Sequence, residues 1–186
     1  MAVQLLRRGF TVEEYHRMAQ AGILTEDDRV ELIEGEIITM TPIGSRHAAC
    51  VDRLTRLLSA HAGREAIVRV QNPIRLGERS EPQPDLALLR FRSDFYASRH
   101  PGPEDVLLVV EVAETSADVD REVKLPLYAR SGIAEAWLVD LAGGQIEVER
   151  RPTPRGYGEV ERFGRGSRVR SRALPDLDVA ADEILG

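Results

Sequence analysis

Val106-Leu107-Leu108-Val109-Val110-Glu111-Val112 is a run of aliphatic residues with one carboxylate inside it. β-Branched residues and leucines in unbroken succession, without polar alternation, read as a strand buried on both faces. That implies a sheet covered by helices on either side. An ionised Glu in such a strand loses hydration worth several kcal/mol unless a cation compensates it. The compensating group can be an Arg, a Lys or a metal ion, and a buried Glu–Arg pair is the plainest of these. What Glu111 is for therefore depends on its neighbours.

Upstream, residues 84–89 form a second strand that begins with a carboxylate, Asp85. Between the two strands, residues 90–105 are charged and aromatic, with Pro101-Gly102-Pro103, and read as a surface excursion with a turn of helix. Downstream, residues 118–131 read as a helix ending at Gly132, kinked by Pro126. Residues 136–141 form another strand, turned by Ala142-Gly143-Gly144-Gln145 into a hairpin partner at 146–150. Residues 157–163 and 167–172 read as a second, more exposed hairpin around Gly164-Arg165-Gly166. A short acidic helix occupies 179–185.

Toward the N-terminus, Thr11-Val12-Glu13-Glu14 is a capping-box pattern that opens a short helix ending at Gly22. Residues 29–33 and 36–40 are strands joined at Glu34-Gly35. Ser45 caps a helix over 46–60 whose apolar stripe is Val51, Leu54 and Leu58. His47 precedes Val51 by four and shares that inward face. A lone His there is commonly a satisfied structural group. Residues 67–70 and 74–76 read as strand segments, and 77–84 as a polar loop. The order suggests one mixed α/β sheet flanked by helices, with extra antiparallel hairpins, in a single domain over 1–186.

Composition narrows the classes. A chain of 186 residues fits one domain with a sizeable core. No apolar run is long enough to span a membrane. Residues 1–10 carry Arg7 and Arg8 but no apolar core behind them, so no secretory signal is expected. Cys50 is the single cysteine, which excludes disulfides and cysteine-rich zinc sites within one chain and points to a reducing cytoplasm. A net charge of −6 argues against passive coating of DNA. It leaves room for an enzyme whose acidic site holds a cation, because the ion inverts the local field.

Of 25 basic residues, 24 are Arg, and Lys124 is the single Lys. A chain that uses Arg wherever a surface cation will do has a reason to place a compact ammonium here, unless the placement is chance. Two carboxylates on neighbouring strands, Asp85 and Glu111, make an oxygen-rich site for Mg²⁺ or Mn²⁺, with the Val112 carbonyl available to complete the shell. A nearby Lys124 can orient a water, help deprotonate it, or stabilise charge on a phosphate. Asp120 and Tyr128 flank Lys124 at a spacing of four on the same helical face, where Asp120 is expected to pair with the ammonium.

Pro84-Asp85, then Glu111-x-Ala113, then Lys124 resembles the PD-(D/E)XK nuclease superfamily, except that Ala113 stands where that motif carries its lysine. The chain is more similar to the Uma-type restriction endonucleases, in which the lysine has moved to the following helix. The matching phrases are Glu31-Leu32-Ile33-Glu34-Gly35-Glu36, the His47 helix, Pro84-Asp85-Leu86, and Val110-Glu111-Val112 with Thr115-Ser116. Asp120-x-x-x-Lys124-Leu125-Pro126-Leu127-Tyr128 and Gly132-Ile133-x-Glu135-x-Trp137-Leu138-Val139-Asp140 complete them. The resemblance runs from about Thr11 to Arg151.

It implies a restriction-endonuclease-like core and divalent-metal-dependent cleavage of nucleic acid, DNA before RNA. Asp85 and Glu111 are then metal ligands, Lys124 the catalytic lysine, Glu31 an auxiliary acid and His47 a neighbour. Glu31 reads equally well as a strand-surface residue, and Glu34 as part of the turn. Two alternatives stay open: a non-catalytic binding or regulatory module that keeps the fold, and a structural role with Glu111 bonded to an Arg. Arg150-Arg151 and Arg165 to Arg172 can contact phosphates or be solvated surface. The exposed hairpins and the Trp137 strand suggest a homodimer.

Overall fold

The computed structural model describes residues 8–25 and 27–186; most of the segment read as lacking a secretory signal lies outside them. A six-stranded mixed sheet runs in the order β3-β4-β5-β6-β7-β8. These strands are β3 (Ala66–Val70), β4 (Leu86–Arg90), β5 (Val106–Ala113), β6 (Glu135–Asp140), β7 (Gln145–Thr153) and β8 (Gly156–Gly164). Every adjacent pair is antiparallel except β5 and β6, which are parallel. A parallel pair needs a crossover, and the helical segment 117–130 supplies it.

β5 sits inside the sheet with seven of its eight residues buried, as its aliphatic run requires. Successive side chains point to opposite faces. Leu108, Val110 and Val112 enter one core cluster, roofed by α2 (Ser45–Ala62) and α5 (Ala181–Leu185). Val109 and Ala113 enter the other, with Leu125 and Tyr128 of α4 (Leu125–Arg130). By the same period Glu111 belongs to the second face.

At the N-terminus, α1 (Val12–Gln20) starts at a true capping box: the Glu14 amide donates to Thr11 Oγ1, and the Thr11 amide to Glu14 Oε2. β1 (Val30–Ile33) and β2 (Glu36–Thr39) form a hairpin. Both turn residues, Glu34 and Gly35, have positive φ, at 50° and 87°. Gly35 also has no room for a side chain, since a Cβ there would lie 2.9 Å from the Cα of Gly9.

Several sequence readings need correction. Residues 74–76 are not a strand; they are tied down singly, the Ile74 amide to the Pro82 carbonyl and the Leu76 amide to that of Ser80. β8 pairs with β7 and not with the segment 167–172. Arg168–Arg170 (β9) pairs instead with Asp178–Ala180 (β10), and the tail is strand before it is helix. β6 is buried throughout, Trp137 completely, so the Trp137 strand is no surface for self-association. Among the described residues, no helix is long and apolar enough to cross a membrane.

The helix expected over 118–131 is interrupted. Ala117–Val119 (α3) gives way to a π-helical turn at Asp120–Lys124, where the Leu125 amide donates to the carbonyl of Asp120. Pro126 lacks an amide and cannot continue an α-helical ladder toward Glu122. The widened turn takes the place of a plain kink. It leaves Glu122 and Val123 outside and brings Asp120, Lys124 and Tyr128 to the buried side.

Candidate active site

β4 and β5 pair with Leu86 opposite Val110 and Ala87 opposite Val109. One step further along that register, Asp85 faces Glu111. Asp85 lies just ahead of β4 rather than within it, and its conformation is fixed from three sides. The Val112 amide donates to its Oδ2 at 2.9 Å. The Gln71 side-chain amide donates to Oδ1 at 3.2 Å, and His47 Nε2 lies 2.9 Å from the same oxygen. The hydrogen bond to Asp85 raises the His47 pKa above its ordinary value, against the opposing effect of burial. His47 is thus partnered, as a structural histidine would be, and its partner is the candidate metal ligand itself.

Glu111 is the buried carboxylate of β5, and its compensating cation is Lys124, not an arginine. Lys124 Nζ lies 3.2 Å from Glu111 Oε1 and 3.3 Å from Glu31 Oε2. All three side chains are more than nine-tenths buried. Tyr128 donates its hydroxyl to Glu111 Oε1 at 2.5 Å. Glu31 is no surface residue of its strand: the Gln83 amide donates to its Oε2 at 3.0 Å. The expected Asp120–Lys124 pair is replaced by a different set of bonds, because Lys124 turns to the two glutamates and Asp120 accepts from Ser116 Oγ at 2.7 Å. Asp120 nonetheless sits close enough to act on both Glu111 and Lys124 electrostatically.

Burial pushes the Glu111 carboxyl up to about 8; Lys124 pulls it down, and Asp120, Asp85 and Glu31 add to the rise. Burial alone would lower the Lys124 pKa, but Glu111, Glu31 and Asp120 together hold it above its ordinary value. An ammonium held so firmly protonated is poorly matched to taking a proton at neutral pH. Of the roles the sequence allows Lys124, this raised pKa favours the electrostatic one. Burial also raises the Asp120 carboxyl.

Glu31, His47, Asp85, Glu111, Val112 and Lys124 all line one cleft of about 350 Å³, together with Gln83, Ser116 and Asp120. All six candidate site residues therefore meet at one place, contributed by β1, α2, the approach to β4, β5 and the π-helical turn. Gln71 and Gln83 went unread in the sequence because each acts through a loop position with no periodicity to mark it. Asp120 and Tyr128 were legible as neighbours of Lys124, but not as parts of the same charge cluster.

The arginine segments are spent elsewhere. Arg150 is buried against Glu135 and Glu161. Arg165 pairs with Asp182, Arg168 and Arg170 with Asp178, and Arg172 with Glu159. Each of these five arginines has an acidic partner, which favours the surface reading of them over phosphate binding.

A crystal structure described as that of a putative nuclease belonging to DUF820, from Anabaena variabilis ATCC 29413, superposes with a TM-score of 0.75. The match covers 95% of this chain and 97% of that one at 17% identity, which establishes a shared fold. No curated protein matches the chain. The family described as "Uma2: Putative restriction endonuclease" matches residues 12–182, and the chain belongs to that family.

Proposed function

We propose that the protein is a divalent-metal-dependent endonuclease that hydrolyses phosphodiester bonds of nucleic acid, DNA in preference to RNA. The observation that supports this reading is the meeting of Asp85, Glu111, Glu31 and Lys124 in one cleft, with Glu111 compensated by the chain's single lysine. The donor set fits a hard dication. It offers carboxylate oxygens on adjacent strands, and the acids Asp120, Asp85 and Glu31 all act on Glu111, adding to the rise that burial imposes on its pKa. Asp85 and Glu111 would hold Mg²⁺ or Mn²⁺, with the Val112 carbonyl beside them. Such an ion polarises a phosphodiester and lowers the pKa of a bound water.

The chain's own groups have separable tasks. His47, Gln71 and the Val112 amide hold the Asp85 carboxylate in one orientation. Tyr128 does the same for Glu111. Glu31 shares Lys124 with Glu111, so the ammonium is fixed in position and protonated, ready to stabilise negative charge on a scissile phosphate.

The test is nicking of supercoiled plasmid with Mg²⁺ or Mn²⁺, run beside a single-stranded RNA of matched length. Wild type is expected to cleave DNA faster, and Asp85→Asn, Glu111→Gln and Lys124→Met to lose at least a hundredfold in rate. Wild type that binds neither ion by calorimetry and leaves both substrates intact would make the chain a non-catalytic module on a nuclease fold. A homodimer, which cutting both strands of a duplex favours, is checked by sedimentation with and without DNA.

A further inference from the structure

A second cluster of metal-binding side chains lies outside the cleft. His16 of α1, Glu81 of the loop before β4 and His100 of the excursion before β5 each offer a ligand atom, and these atoms lie within 4.8 Å of one another. Among the described residues, no other trio of His, Cys, Asp or Glu is so gathered. His16 Nε2 is 2.7 Å from Glu81 Oε1, and the two imidazole rings meet edge to face at 6.2 Å.

Glu81 is what makes this more than a surface grouping. Its side chain is 2% exposed, and its Oε2 is buried without a hydrogen-bond partner. A buried carboxylate oxygen left unpaired is costly. The main chain holds it there, since the Glu81 amide donates to the Leu32 carbonyl at 2.8 Å and ties the loop to β1. The residue lines an open cleft with His16 and His100. Of the arginines nearby, Arg75 is engaged by Glu13 and Arg99 by Asp105 and Glu104, while Arg69 keeps one guanidinium nitrogen buried without a hydrogen-bond partner. Burial lowers the His100 pKa below its ordinary value, against the opposing charge of Glu81.

We propose that His16, Glu81 and His100 form a transition-metal site, separate from the cleft of Asp85 and Glu111, that binds a borderline dication of the Zn²⁺ class and pins α1 to the body of the protein. Two imidazoles and one carboxylate suit such an ion and not Mg²⁺, whose preferred ligands are all oxygen. Tetrahedral bonds of ~2.0–2.1 Å place ligand atoms ~3.3 Å apart. The His16–Glu81 contact then opens by about half an ångström, and Glu81 Oε2 can gain a partner. Three protein ligands leave a fourth position facing the cleft, for water or an exchangeable ligand. The proposal is independent of the nuclease reading.

Chelator-stripped full-length protein is titrated with Zn²⁺ by calorimetry in excess Mg²⁺, and its Tm is followed with and without Zn²⁺. One Zn²⁺ per chain is expected in wild type and equally in Asp85→Asn, with a Tm rise of roughly 5–10 °C at a hundredfold excess over Kd. His16→Ala and His100→Gln should lose both the binding and the Tm rise while keeping the wild-type circular dichroism. His16 is 40% exposed and belongs to neither hydrophobic core cluster. Co²⁺ in place of Zn²⁺ should give visible d–d absorption that disappears in His16→Ala. Zn²⁺ that persists in both histidine variants, or that leaves with Asp85→Asn, or an absence of Zn²⁺ binding in wild type, would overturn the proposal.

Discussion

Replacing Lys124 by Met keeps the approximate volume and removes the charge. In the native protein the ammonium serves two buried carboxylates, Glu111 at 3.2 Å and Glu31 at 3.3 Å. At an effective dielectric near 20, each contact carries a Coulomb term of ~5 kcal/mol, set against the cost of desolvating three charges. Breaking a buried pair by removing one partner costs ~3–5 kcal/mol. That magnitude must depend on pH, because Glu111 can escape its unpaired charge by taking up a proton. Its pKa is already about 8 with Lys124 present, and loss of the ammonium raises it further. A carboxyl whose folded pKa exceeds its unfolded value binds more protons in the folded state, so stability falls as pH rises between the two values. The cost of Lys124→Met is therefore small near pH 6 and approaches ~3–5 kcal/mol by pH 9. For a chain of this length that is a drop of roughly 6–20 °C in Tm. Urea denaturation in chelator at the two pH values measures it. The double variant Lys124→Met/Glu111→Gln should recover most of the loss. If Lys124→Met matches wild type within about 0.5 kcal/mol at pH 9, a surface-like substitution, Lys124 is not the compensating cation and the charge balance proposed for the cleft is wrong.

Glu111→Gln alone keeps an acceptor for Tyr128 and removes the costly charge. In chelator it should be more stable than wild type by an amount that grows from pH 6 to pH 9, while plasmid nicking is lost; a uniform loss of stability across that range would contradict the raised pKa. His47→Ala removes the bond to Asp85. Because that bond raises the His47 pKa, its contribution is present below the unfolded value and fades as pH climbs through the folded one. The variant should cost ~1 kcal/mol at pH 6 and less at pH 8, as read from paired melting curves.

The sheet and its buried centre were legible because β5 carries its environment in its composition: aliphatics on both faces have no other stable home. The crossover helix was legible in position but not in form. Its apolar spacing is ambiguous between α and π turns, and only packing decides which residues turn inward. Pairing of the late hairpins failed for a related reason. Residues 157–163 and 167–172 are short, polar and rich in Gly and Arg, so their register is set by contacts with β7 and β10 that leave no local period. The candidate site residues stand out where chemistry is unusual for its surroundings, as with Glu111 among aliphatics and Lys124 among arginines. Gln71 and Gln83 are ordinary residues in loops. Nothing local distinguishes a glutamine whose amide orients a carboxylate from one that faces water.

The same charge balance bears on how the cleft would take up a cation. Glu31, Asp85, Glu111, Glu114 and Asp120 line it with Arg29, His47 and Lys124. Burial disfavours the ionised form of Glu111, and Asp120, Asp85 and Glu31 add to that against Lys124, so its pKa stands near 8. A dication bound through Asp85 and Glu111 requires Glu111 ionised, so binding must expel its proton below pH 8. Affinity for Mn²⁺ should rise with pH by up to about tenfold per unit, then level off once Glu111 is already ionised. Calorimetry in two buffers of different ionisation enthalpy counts the protons directly. Release approaching one proton per ion is expected at pH 6.5, falling toward zero at pH 9. Glu111→Gln should bind Mn²⁺ weakly and with no such slope. Binding by wild type that is tight and independent of pH would mean that the ion sits where Glu111 does not reach it.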